Sequence, residues 1–73
     1  MKAKDLIGRQ VIDVDARVVG RIVDVDMDIS SASINSLILK SSWTKRYQIS
    51  PHDIEKVGDK IILKITKEKM RKA

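Results

Sequence analysis

Val18-Val19-Gly20-Arg21-Ile22-Val23-Asp24-Val25-Asp26-Met27-Asp28-Ile29 decides the fold. Val23, Val25, Met27 and Ile29 share one parity, and Asp24, Asp26 and Asp28 share the other. Alternation of this kind marks a strand with one buried face and one wet face. Upstream, the apolar residues Val18 and Ile22 fall on even positions, so the phase reverses. A period of two changes phase only through an extra residue or a sharp bend. A bulge or strong coil is therefore expected between Gly20 and Asp24. A long bent strand is what a small barrel needs to serve two sides of its wall.

Outward from this strand, the same signals repeat. Val and Ile supply 18 of the 73 residues, in short bursts. Branched side chains are stiff at χ1 and suit a pleated sheet. Strands are expected over residues 11–14, 18–29, 34–40, 46–49 and 60–65. Asp15-Ala16-Arg17 forms a tight connection, Ser30 to Ser33 a polar turn, and Ser41 to Lys45 a loop carrying Trp43. Ser50-Pro51-His52-Asp53 stops the fourth strand, and a helical turn is expected over 53–57. The fold class is all-β. One domain is expected over residues 1–66. The Lys- and Glu-rich stretch 67–73 has no apolar periodicity and is expected as a basic tail that frays or forms a short helix.

Composition excludes several chemistries. There is no Cys, so no disulfide framework, thiolate nucleophile or Cys-ligated zinc. The one His, His52, follows Pro51 in a turn and has no partner in the sequence for catalysis or ligation. The serines lack a G-x-S-x-G setting, and Gly8, Gly20 and Gly58 are too scattered for a phosphate cradle. Asp24-x-Asp26-x-Asp28 opens like a calcium loop but lacks its glycine and its closing Glu. The three carboxylates read instead as a wet strand face, with Asp24 the best placed to accept backbone amides. No enzyme, cofactor or metal is expected. No apolar run approaches the roughly 18 residues of a membrane span, so no direct membrane insertion and a cytoplasmic location are expected.

The net charge of +5 is unevenly placed. Residues 1–59 carry nine Lys or Arg and nine Asp or Glu, so the whole excess lies in residues 60–73. A basic tail weakly supports nucleic-acid binding. Only Trp43 and Tyr47 are aromatic, which is too few for an interleaved base-stacking surface. Trp43, Lys45, Arg46 and Tyr47 instead form the candidate partner-binding segment, because Trp, Tyr and Arg are the residue types enriched at binding hot spots. Leu37-Ile38-Leu39 is apolar on both strand faces, and so small a core is thin. These three are the candidate dimer interface, with a second copy covering the outer face.

Four stretches, in order, resemble the PRC-barrel family. They are Leu6-Ile7-Gly8-Arg9-Gln10-Val11-Ile12-Asp13, Val19-Gly20-Arg21-Ile22-Val23-Asp24-Val25-Asp26-Met27-Asp28, Ile49-Ser50-Pro51 with Ile54, and Val57-Gly58-Asp59-Lys60-Ile61-Ile62-Leu63. Ala16 departs from the pattern, since the family usually has Gly in the first hairpin. The resemblance implies a small SH3-like PRC-type β-barrel of five to six strands with a short helical turn, working as a binding module. Short stand-alone members of the family are typical of archaea, and some partner the membrane-anchoring cell-division protein SepF. The resulting expectation is a homodimeric, non-enzymatic adaptor that binds another protein, SepF or a related PRC-barrel protein being the candidate. The alternative is a ribosome- or RNA-associated factor like the PRC-barrel domain of the ribosome maturation factor RimM.

Overall fold

The computed structural model describes residues 1–73. A short helix, α1 (Ala3–Leu6), precedes β1 (Gln10–Ile12), β2 (Val18–Asp28), β3 (Ser33–Lys40) and β4 (Arg46–Ile49). A 3-10 turn at Pro51–Asp53 leads into β5 (Ile54–Val57) and β6 (Ile61–Leu63). A second 3-10 turn, Lys67–Lys69, leads into β7 (Arg71–Lys72). The strands form one curled seven-stranded sheet in the order β5-β6-β1-β2-β3-β4-β7. All pairs are antiparallel except β1 with β6.

The phase reversal in β2 is a bulge. Ile22 pairs with Leu39 and Asp24 pairs with Ile38, so Val23 is the extra residue. A second bulge, at Val19, separates the Val11–Gly20 pair from the Ile12–Val18 pair. Each bulge adds local twist, and together they let one strand curl round the core. Gly20 sits between them with φ +152°. A Cβ there would lie 2.5 Å from the carbonyl oxygen of Lys40 and 2.9 Å from Leu39 Cδ1. The tight curl therefore requires a residue with no side chain.

Nine apolar residues make the core: Val11, Val19, Ile22, Leu37, Leu39, Ile49, Ile61, Leu63 and Met70. Leu37 and Leu39 are 2% and 0% exposed. Of the expected dimer trio, only Ile38 faces outward, because neighbouring strand residues point to opposite faces.

Several expectations are corrected. β1 ends at Ile12, because Asp13 leaves the ladder to organise the following turn. In that turn Ala16 takes a left-handed conformation, φ 65°, the region that Gly enters without steric cost. The helical turn lies at Pro51–Asp53, earlier than expected, and Ile54–Val57 is a strand. Proline fixes φ at the turn's first position, and the Ser50 hydroxyl accepts the His52 N–H at 3.2 Å. Met27 and Ile29, expected on the buried face of β2, are 52% and 82% exposed. The β2–β3 hairpin overruns the barrel there, and no other strand pairs beside either residue.

The tail is corrected most. Residues 67–73 do hold a short helical turn, Lys67–Lys69, but they neither fray nor stand apart. Met70 is in the core at 8% exposure, and β7 pairs with β4 through Tyr47–Lys72 and Gln48–Arg71. What seats the segment is Asp13, which is 1% exposed. Its carboxylate accepts the amides of Asp15 at 3.0 Å, Arg17 at 2.8 Å and Lys67 at 3.0 Å, and Arg17 Nε at 2.9 Å. Arg17 then reaches both oxygens of Glu68, at 2.8 and 2.7 Å. One buried carboxylate thus joins the first hairpin to the last seven residues. The amide-binding role expected of Asp24 falls mainly here; Asp24 accepts only the amide of Val25, at 2.8 Å.

This clasp is expected to make the fold acid-sensitive. Burial alone would raise the Asp13 carboxyl, but the Arg17 and Lys67 amides and the Arg17 guanidinium outweigh it and hold it below the ordinary value. Hydrogen bonding to Arg17 lowers Glu68, and the Ser30 hydroxyl leads the groups that lower Asp28. Each depressed carboxyl contributes stability that is present above its unfolded value, about 4, and lost as pH falls through the folded value. Thermal melts are therefore expected to hold their midpoint from neutrality down to about pH 5 and to drop steeply below about pH 4. Asp13→Asn should melt lower at pH 7 and show a flatter acid limb. An amide nitrogen there faces the donors that the carboxylate served. An Asp13→Asn curve parallel to wild type throughout would count against the clasp.

Candidate functional site

The β3–β4 connection, Ser41 to Lys45, is closed by its own backbone. The Ser41 amide donates to the Lys45 carbonyl at 2.9 Å, and the Lys45 amide to the Ser42 carbonyl at 3.3 Å. Trp43 stands at its tip, 91% exposed. Lys40 Nζ lies 5.1 Å from the centre of the indole ring, a cation–π approach. Beneath this loop a shallow hollow of about 480 Å³ opens, lined among others by Val18, Gly20, Val23, Lys40 and Trp43. A large, unburied ring over an apolar-floored hollow with cations at its rim is suited to recognition by contact.

The four segment residues do not share one surface. Tyr47 lies opposite Leu39, turns inward and packs on the core. Trp43 and Lys45 are in the loop, and Arg46 opens β4 opposite Lys40. Tyr47 therefore anchors the strand from which the other three project. Arg21 lies opposite Lys40 on the other side. Arg21, Lys40 and Arg46 thus form a row across three adjacent strands, which only the pairing register reveals. Every ion pair in the molecule is made by Arg17, with Asp13, Asp15 and Glu68, so the row has no carboxylate of its own.

The aspartates of β2 do not converge. Asp24 and Asp26 lie opposite Ile38 and Ser36 on the outer face. Asp28 turns into the hairpin, accepting the Ser30 hydroxyl at 2.7 Å and the Ser30 amide at 3.0 Å. No three His, Asp or Glu side chains gather closely enough to hold a metal ion. His52 is exposed in its 3-10 turn. A second hollow, about 600 Å³, opens where the hairpin, β4 and the C-terminal segment meet, lined by Asp26, Ser36, Ile49, Ile65, Met70 and Arg71 among others. No helix is long and apolar enough to cross a membrane.

The curled sheet with a bulged second strand and the Ser50-Pro51 step agree with the sequence motifs. No curated protein matches the chain. The family model for the PRC-barrel domain matches residues 1–70, and the chain belongs to the PRC-barrel family.

Proposed function

We propose that this chain is a cytoplasmic, non-enzymatic, homodimeric adaptor whose Trp43 loop binds another protein. PRC-barrel domains are generally non-catalytic modules. The observation that carries the reading is Trp43, held 91% exposed by a closed loop beside unpaired cations. A ring left in water is useful where a partner supplies a pocket for it. Lys45 and Arg46 beside it suit carboxylates at the rim of that pocket. The resemblance to stand-alone archaeal members makes the membrane-anchoring division protein SepF, or a related PRC-barrel protein, the first partner to try.

Trp43→Ala tests this. The substitution removes no core contact, so thermal stability should stay within about 0.5 kcal/mol of wild type. Affinity for the partner should fall by about 2 kcal/mol, close to thirtyfold. Capture from native lysate with and without nuclease identifies the partner, and calorimetry with the purified partner measures the loss. Unchanged affinity would remove the loop from the interface.

The basic row supports a ribosome- or RNA-associated reading as the alternative, and β7 sets Arg71 opposite Gln48 beside it. Salt separates the two. Phosphate contacts lose affinity steeply as salt rises, whereas an apolar interface does not. Capture that disappears with nuclease would favour the alternative.

A further inference from the structure

The outer face of β2, β3 and β4 carries opposite charges at its two ends. At the end nearest the Trp43 loop stands the row Arg21, Lys40 and Arg46. Like charges directly opposite across strands destabilise a sheet, and no carboxylate of the chain pairs with them. Arg21 donates to the Gly8 carbonyl at 2.9 Å, not to a carboxylate. Two residues back along β3, Ile38 points outward, half-buried, opposite Asp24. Two further back, Ser36 lies opposite Asp26. From Lys40 to Ser36 is about 13 Å of strand. The Val23 bulge places both aspartates on this face, because without the extra residue Asp24 and Asp26 would have the parity of Ile22 and point into the core. From Ile22 to Leu39 there is no Lys or Arg at all.

We infer that this face receives a second copy of the chain, lying antiparallel about a two-fold axis that crosses the strands near Ile38. The inference rests on the homodimer proposed above and adds the surface that makes it. In this arrangement the basic row of each copy lies over the Asp26–Ser36 pair of the other, with Ile38 and Asp24 of both copies at the centre. The two-fold axis makes the two charge contacts identical and closes the assembly at two. Charge complementarity selects this occupant. An acidic protein or a nucleic acid would satisfy the basic row but meet Asp26, at the far end of the face, as a like charge. A second copy brings both signs, in the reverse order. Trp43 and Lys45 project from the loop beyond the row, where a different protein can reach them.

Sedimentation of the full chain tests this. Wild type is expected as a dimer at low salt, with self-association at least about tenfold weaker at high salt. Lys40→Glu/Arg46→Glu and Asp24→Lys/Asp26→Lys, each checked for folding by circular dichroism, are each expected to be monomers. Mixed, they should form a heterodimer, since each supplies the sign the other has lost. Trp43→Ala should remain a dimer in the same experiment. A wild-type dimer whose two charge-reversed variants also stay dimeric overturns this surface and leaves the homodimer standing. Two folded, monomeric variants that fail to pair on mixing overturn it as well. A wild type that is monomeric at low salt overturns the homodimer itself. If a reversed variant does not fold, the neutral pairs Lys40→Gln/Arg46→Gln and Asp24→Asn/Asp26→Asn serve instead, each expected to weaken the dimer at least about tenfold. Neutral pairs that associate as tightly as wild type overturn the surface.

Discussion

Gly20→Ala should leave no folded population at room temperature. The new methyl group would sit 2.5 Å from the Lys40 carbonyl oxygen and 3.0 Å from its carbonyl carbon. Both are backbone atoms of β3, so relief requires the two central strands to part. The φ of +152° is also one that L side chains rarely adopt. Overpacking and backbone strain together cost more than about 4 kcal/mol. A core of this size supplies about 3–5 kcal/mol in all. Amide signals in a heteronuclear NMR spectrum should collapse to the dispersion of an unfolded chain. Gly58→Ala is the control: its new methyl group would have its nearest neighbour 4.0 Å away, and its spectrum should stay dispersed. A folded Gly20→Ala would show that β2 and β3 can separate without loss of the barrel.

Deleting residues 67–73 is the second large effect expected. The segment looks dispensable by charge, since it removes four cations and one anion. In the fold it carries Met70, which is 8% exposed, and the only strand beside the outer edge of β4. Losing a buried Met side chain costs about 2–5 kcal/mol. The deletion also strips the Lys67 amide from Asp13 and the Glu68 carboxylate from Arg17. The melting temperature should fall by at least about 12 °C, the scale of several kcal/mol in a domain this small. Arg71→Gln/Lys72→Gln, which keeps Met70 and the clasp, should melt within about 3 °C of wild type. A deletion variant that melts with wild type would return the segment to the status of a solvated end.

The two stretches that differ most in legibility are β2 and the C-terminal segment. In β2 the apolar pattern itself changes phase, and only an extra residue or a sharp bend does that, so a bulge or strong coil could be placed between Gly20 and Asp24. Residues 67–73 contain one large apolar side chain, Met70, among Lys, Glu and Arg. A single buried residue has no periodicity, so nothing local marks it as core. Asp13 was illegible for a related reason. Five aspartates fall between residues 13 and 28, and only the chain's return at Lys67 distinguishes the first of them.

The candidate site divides in the same way. Trp43 could be singled out by residue type and by its loop, but its exposure depends on how that loop closes. The basic row could not be read along the chain, because its members are 19 and 6 residues apart and meet only through strand register. Leu37, Ile38 and Leu39 looked alike as a run, and the sheet then assigned two to the core and one to the outer face.

The Asp13 clasp also bears on how quickly the barrel assembles. Asp13 and Lys67 are 54 residues apart, and Arg17 and Glu68 are 51 apart. The parallel pair Val11–Ile61 spans a similar length. Such contacts are made only after most of the chain has been brought together, and domains rich in them fold in milliseconds to seconds rather than microseconds. The β2–β3–β4 meander joins residues close in sequence and is positioned to form first. On this view the ends of the chain meet last in folding, and stability lost at the Asp13 clasp should appear in the unfolding rate rather than in the folding rate.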